Sequence, residues 1–214
     1  MIAIYGLKFI IIGIVLTVGS VLFAAYRDSM GLFIVSIILA ILTIFLSFFY
    51  RNPPRKIPSD ERLILSNADG KILSVEEIES EYIGGKGYKV SIFLSVFDVH
   101  INRTPASGTV DYTRYTPGKF LPAFKKSASD ENEQSETGFI TPFGKIIFKQ
   151  ISGILARRIE NDLEKGQTAK RGEIYGMIHF GSRAELFLPA NVEIKVRKGD
   201  KVKGGASPIA RFKE

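Results

Sequence analysis

The sequence predicts a mainly β domain, a β-rich sandwich or barrel, preceded by an N-terminal transmembrane helical hairpin. Two long uncharged runs, residues 9–26 and 30–50, open the chain and are separated only by Arg27, Asp28 and Ser29. Beyond them, short runs of β-branched and aromatic residues alternate with glycine turns to the end of the chain, which is the pattern of an all-β fold.

The first two elements follow from length. Each apolar run is long enough to cross a hydrocarbon core of roughly 30 Å as a helix. A secretory signal would show one shorter apolar stretch and a small-residue cleavage site, whereas a second full run follows at once. β-Branched residues are abundant in both runs, but an open pair of strands cannot satisfy its backbone in lipid, so helices are expected. Arg51, Arg55 and Lys56 outweigh Lys8 and Arg27, and the positive-inside rule then places both ends of the hairpin and everything after it in the cytoplasm. A hairpin that enters only one leaflet satisfies the same sequence.

Three prolines within residues 51–58 end the second helix, because proline stops a helix and favours extended chain. This divides the chain into a membrane hairpin with its linker, residues 1–58, and a domain over residues 59–214. In that domain nine runs read as strands: residues 63–66, 71–75, 88–94, 108–115, 139–142, 146–151, 176–179, 184–188 and 192–196.

Two segments depart from the pattern. Residues 120–136 are polar and too long for a tight hairpin, so they are expected to form a functional lid or a disordered insertion. In residues 151–163, Ile151, Ile154, Leu155, Ile159 and Leu163 fall at helical spacing, which predicts the domain's one helix. Residues 196–205 read as a tight basic hairpin. It resembles the hairpin of biotinyl and lipoyl carrier domains, and the resemblance implies that part of the barrel shares their hammerhead topology.

Composition narrows the chemistry. The chain of 214 residues has no cysteine and two histidines, with a formal charge of +7. Disulfides and thiolate metal sites are thereby excluded, consistent with a cytoplasmic domain. Two histidines 79 positions apart, without a His-Glu-x-x-His helix, give no zinc set. The basic excess beside an anchor points to anionic lipid, or to a merely solvated surface, rather than nucleic acid, since no aromatic-basic nucleic-acid motif accompanies it. Gly84-Gly85-Lys86-Gly87 lies between two strands and reads as a turn rather than a phosphate loop. A serine-hydrolase elbow is excluded because Ala184, not glycine, stands two positions after Ser182.

What remains is Gly181-Ser182 with Asp69 and His100. A glycine carbonyl followed by a serine hydroxyl is the minimum for an N→O acyl shift, although Gly-Ser is also a common turn dipeptide. His100 follows an apolar strand and is a candidate base, with a structural role the alternative. Asp69 lies in an Asp-Gly turn signature that needs no function. Arg103, Arg157, Arg158 and Arg183 are candidates for pairing with a phosphate, or are solvated surface.

Six blocks follow in order along the chain: the hairpin ending in Phe48-Phe49-Tyr50-Arg51-Asn52-Pro53-Pro54-Arg55, then Ala68-Asp69-Gly70, then Asp98-Val99-His100-Ile101-Asn102-Arg103-Thr104-Pro105. Pro117-Gly118-Lys119-Phe120 with Glu131-Asn132-Glu133 comes next, followed by Gln150-Ile151-Ser152-Gly153 with Ala156-Arg157-Arg158-Ile159, and finally Phe180-Gly181-Ser182-Arg183. Together they resemble the short-form phosphatidylserine decarboxylases. The resemblance implies a self-processing proenzyme in which Ser182 attacks the Gly181 carbonyl and the ester eliminates. Ser182 would then become a pyruvoyl group, which forms a Schiff base with the serine headgroup and serves as the sole cofactor, with no external one.

On this resemblance, the cut between residues 181 and 182 gives a β chain (1–181) and an α chain (182–214) that form a heterodimer within a higher oligomer. His100 is the general acid and base, oriented by Asp69, and the partners are a membrane and an anionic serine phospholipid. Long-form relatives have a second histidine three residues after the first, where this chain has Arg103, so His100 would serve both stages. His179 stands where short-form relatives usually carry arginine and is a headgroup or structural candidate. The alternatives are the same reaction on archaetidylserine, an ether-linked lipid, and a non-enzymatic, membrane-tethered carrier-like β domain.

Overall fold

The computed structural model describes residues 1–154, 158–179 and 181–214. They form two compact units, Met1–Pro54 and Arg55–Glu214.

In the first unit, α1 (Ile4–Arg27) and α2 (Met30–Phe49) make an antiparallel hairpin, and both are long and apolar enough to cross a membrane. Their outward faces are apolar, with Ile12, Val15, Leu22, Ile37 and Ile44 among the exposed side chains. Small residues set the approach of the two helices. A β-carbon on Gly6 would lie 2.0 Å from the Tyr50 ring, and one on Gly13 would lie 2.6 Å from the Thr43 hydroxyl. Close backbone packing of this kind drives helix association where no hydrophobic effect operates. Asp28, in the left-handed conformation at φ 42°, caps α1 and turns the chain.

The second unit is β-rich. Its strands are β1 (Leu63–Leu65), β2 (Gly70–Ser80), β3 (Gly85–Leu94), β4 (Ile101–Arg103), β5 (Gly108–Thr116), β6 (Gln134–Thr141), β7 (Gly144–Ile151), β8 (Ile159–Asn161), β9 (Thr168–Ala169), β10 (Ile174–Ile178), β11 (Ser182–Pro189), β12 (Val192–Ile194), β13 (Lys201–Val202) and β14 (Pro208–Phe212). All pairings between strands are antiparallel. One curled sheet of eight runs β13-β2-β3-β11-β7-β6-β5-β9, and two sheets of three run β1-β14-β12 and β4-β10-β8. Their inward faces share a core that includes Ile92, Phe139, Phe148, Tyr175, Leu186 and Phe212.

Arg171 pins the start of the domain to this core. Its buried guanidinium donates to the carbonyls of Pro58, Asp60 and Leu63.

Each of the nine anticipated runs overlaps a strand. The helix expected over residues 151–163 is a misreading. Ile151 ends β7, and Ile159–Asn161 is β8, paired with β10; Leu155, Ala156 and Arg157 lie outside the described residues. The apolar spacing arises because Ile151 and Leu163 are buried by separate strand ends, with the Asn161 side chain accepting from the Leu163 amide to turn the chain inward.

The polar segment 120–136 is neither disordered nor a free lid. It contains a short α3 (Ala128–Glu131) and the start of β6, and buried Asn132 holds it by donating to the carbonyls of Leu121 and Ser152. The basic segment 196–205 does turn tightly, through the Arg197 amide donating to Asp200. Its arms join different sheets, however: β12 pairs with β14, and β13 pairs with β2.

Candidate active site

Ser182 is the first residue of β11, the strand held between β3 and β7 in the large sheet. Gly181 precedes it at φ 63°, a left-handed conformation that glycine adopts without the clash other residues meet. Ser182 is fully buried, and its hydroxyl has no hydrogen-bond partner among the described residues.

The Gly181 amide donates to His100 Nε2 at 3.3 Å. His100 is itself fully buried in the turn between β3 and β4, with Nδ1 3.0 Å from the Asp98 carbonyl. A carbonyl only accepts, so Nδ1 carries the proton and Nε2 presents its lone pair to the Gly181–Ser182 junction. Asp98 shapes this turn from its other end, because its carboxylate accepts from both the amide and the hydroxyl of Ser95.

Asp69 immediately precedes β2. Its carboxylate accepts from Arg55 Nη2 at 2.8 Å on each oxygen and from the Gly204 amide at 2.8 Å. Asp98's main chain thus contacts His100, and Arg55 pairs with Asp69. Burial pushes the Asp69 carboxyl above its ordinary range, against the opposing pull of Arg55 and the Gly204 amide.

The arginine candidates separate. Arg183 is 4 % exposed. It is ion-paired through Nε to Glu185 at 2.8 Å, with Nη2 donating to Ser91 and Nη1 to the Lys125 carbonyl. It is a buried structural cation rather than solvated surface. Glu185 also accepts from Ser129 at 2.6 Å and from Ser91 at 3.1 Å. Arg103 donates to the Gly172 carbonyl at 2.9 Å, and burial followed by the neighbouring Arg55 cation lowers its pKa. Arg158 is largely exposed and pairs with Glu160 at 2.5 Å. Arg157 and Phe180 lie outside the described residues.

His179 is buried, with Nε2 3.9 Å from Glu160. Burial and then the Arg158 cation hold the imidazole near pKa 4, so it is neutral at physiological pH. It does not offer a positive charge to a headgroup.

Several residues at the junction escaped the sequence reading. A β-carbon on Gly153 would stand 1.9 Å from the Gly181 carbonyl oxygen, so only glycine allows that carbonyl to lie where it does. Ser152, Arg55 and Glu185 were also missed. Ser152 and Gly153 fall in a block that the sequence marks as similar, and Glu185 stands two residues from Arg183 on one strand face, a spacing that signals a pair. Beside β11 a cleft of about 390 Å³ is lined by Arg183, Phe124, Lys126 and Lys198 among others.

A buried serine after a left-handed glycine, with an imidazole lone pair at the same junction, defines a candidate site for acyl-transfer chemistry at the chain's own backbone. The family model for phosphatidylserine decarboxylase matches residues 42–210. The chain is 47% identical over 183 residues to a phosphatidylserine decarboxylase proenzyme of Carboxydothermus hydrogenoformans, covering 85% of this chain and 86% of the relative. It is 44% identical over 177 residues to that of Symbiobacterium thermophilum, with 82% of each covered. It is also 40% identical over 208 residues to that of Anaplasma phagocytophilum, covering 96% of this chain and 88% of the relative. The chain belongs to the phosphatidylserine decarboxylase family.

Proposed function

We propose that the chain is a proenzyme that cuts itself between Gly181 and Ser182 and then decarboxylates phosphatidylserine to phosphatidylethanolamine. The observation that carries this reading is the junction itself: a fully buried Ser182 hydroxyl without a partner among the described residues, directly after a glycine whose amide faces the His100 lone pair. In the first stage the Ser182 hydroxyl attacks the Gly181 carbonyl. His100 Nε2 is the base for that hydroxyl and then for the Ser182 α-proton. Asp69, with its raised pKa, is a second proton carrier for self-processing.

The buried hydroxyl and the adjacent imidazole fit a pyruvoyl group made in place from Ser182. When formed, that ketone would take up the amine of the serine headgroup and supply the electron sink for loss of carbon dioxide from its α-carbon. His100 then holds a proton at Nε2 for the carbon that has lost its carboxylate, and the burial of both residues keeps bulk water away from it.

The sheet order supports a stable pair of chains after the cut. An α chain of residues 182–214 would keep β11 between β3 and β7, β14 against β1, and β13 against β2. The two apolar helices and the +7 charge support attachment to an anionic membrane with the catalytic domain on the cytoplasmic side. The ether-linked serine lipid offers the same headgroup to the same residues and differs only in its tails.

Intact-mass measurement on the membrane-extracted protein tests the reading. Two fragments are expected, the smaller starting with a pyruvoyl at position 182. A single uncut 23.8 kDa chain from membranes that decarboxylate phosphatidylserine overturns it. Ser182→Ala is expected to leave one chain and no activity, and assays on diacyl and ether serine lipids distinguish the two substrates.

A further inference from the structure

Ser152 is the other buried hydroxyl at the junction. It is fully buried, and its Oγ, like that of Ser182, has no hydrogen-bond partner among the described residues. Its backbone is fixed on both sides: the amide donates to the Glu133 carbonyl at 2.9 Å, and its carbonyl accepts from Asn132 Nδ2 at 2.8 Å. Only the side chain is left to turn.

The register places Ser152 opposite Ser182. β7 and β11 are antiparallel with Ile151 paired to Arg183, so one further step puts Ser152 across from Ser182 and the next puts Gly153 across from Gly181. The close approach of Gly153 to the Gly181 carbonyl shows that the two chains remain adjacent beyond the last ladder pair. Directly opposed residues carry their side chains on the same face, with β-carbons about 5 Å apart. From such positions, rotation about χ1 brings one serine oxygen within hydrogen-bond reach of the other. An unpaired buried hydroxyl costs about 1–3 kcal/mol, and two at one junction would be an odd expense for a purely structural strand end.

We propose that the Ser152 hydroxyl is a hydrogen-bond partner of Ser182 Oγ during self-cleavage, donating to that oxygen as it becomes the leaving group. This rests on the reading of Gly181–Ser182 as the scissile junction. In the shift, Oγ bonds to the Gly181 carbonyl carbon, the Gly181–Ser182 C–N bond breaks, and the hydroxyl proton passes to the freed amine. In the elimination, a base removes the Ser182 α-proton, the Cα–Cβ double bond forms, and the Cβ–Oγ electron pair goes to Oγ, which leaves as the Gly181 carboxylate. Water then converts the enamine to the ketone and releases ammonia. Negative charge grows on Oγ in the elimination alone, so a donor at Ser152 acts chiefly there.

The test follows cleavage of the full chain made by cell-free synthesis with phosphatidylglycerol-containing vesicles, sampled over time by intact mass. Ser152→Ala is expected to slow cleavage about tenfold to a hundredfold, the range for a lost bond to a charged group. It should also accumulate uncut chain that hydroxylamine splits at Gly181, because the ester forms and waits. Ser152→Thr, which keeps the hydroxyl, should restore cleavage to within about threefold of the parent. Cleavage of Ser152→Ala within about twofold of the parent overturns the proposal, as does slow cleavage without a hydroxylamine-labile species. If the parent chain itself is never cut, the scissile reading fails and the Ser152 proposal with it, an outcome recognised without any variant.

Discussion

Gly153 is packed against the carbonyl of Gly181, so closely that a β-carbon would lie 1.9 Å from its oxygen and 3.0 Å from its carbon. The obstacle is backbone, not the end of a flexible side chain, so it cannot swing aside. Gly153→Ala must displace the carbonyl that Ser182 is proposed to attack. Displacements near 1 Å cost about a hundredfold in oriented reactions, and overpacking costs about 1–3 kcal/mol. The expected outcome is an uncut precursor of modestly lowered stability, read by intact mass and a thermal melt.

The Arg55–Asp69 pair has side chains only 8% and 13% exposed. Asp69→Asn leaves the guanidinium buried without a countercharge, a loss of about 3–5 kcal/mol for a broken buried pair. Replacing both partners by Arg55→Met and Asp69→Leu should recover much of that stability, since apolar side chains of similar volume often substitute without loss. If Asp69 carries protons during self-cleavage, the double variant regains its melting temperature but not its maturation. Recovery of both would make the pair purely structural.

Most strands that the sequence revealed have enough length to show a pattern, β1 and β12 being short strands inside longer apolar runs. β3, β7 and β11 alternate or run apolar for eight to ten residues between glycine turns, whereas β4, β8, β9 and β13 span two or three residues and have no period to read. The helix expected over 151–163 failed for a related reason: apolar residues from two strand ends happened to fall at helical spacing. At the site, Gly181, Ser182 and His100 were legible because their chemistry is scarce in a chain with two histidines. Their arrangement was not. The carbonyl that aims His100 belongs to the Asp98 backbone, and a main-chain acceptor leaves no trace in side-chain identity. Arg183 read as a phosphate partner or as surface, because its burial depends on Ser91 and the Lys125 carbonyl, which lie more than fifty positions away.

His179 gives a pH dependence with a definite sign. Burial holds its imidazole near 4 in the fold, against an ordinary value of 6.5. Between these values the unfolded chain binds a proton that the folded chain refuses, so stability falls as pH drops from about 6.5 to about 4. His179→Gln removes the titrating group. Denaturant midpoints measured from pH 7.5 to 4.5 should fall less steeply for this variant than for the parent, and parallel curves would exclude His179 as the source.

Glu185 is 1% exposed and gathers Arg183, Ser91 and Ser129 around one carboxylate. Arg183 and Glu185 lie on β11, Ser91 lies on β3, and Ser129 lies on α3 in the polar segment, whose Lys125 carbonyl also binds Arg183. The pair thus fastens that segment to the strand that begins at Ser182. Glu185→Leu leaves Arg183 as an unpaired buried cation, with an expected loss of about 3–5 kcal/mol, and removes the acceptor for Ser129. The milder Ser129→Ala deletes one hydrogen bond to a charged group and should cost about 1.5–3 kcal/mol. Trypsin distinguishes release of the segment from general destabilisation. If the pair fastens the segment, cutting after Lys125 and Lys126 accelerates in both variants under conditions where the rest of the domain stays intact. If the segment is held elsewhere, the two variants cut there no faster than the parent.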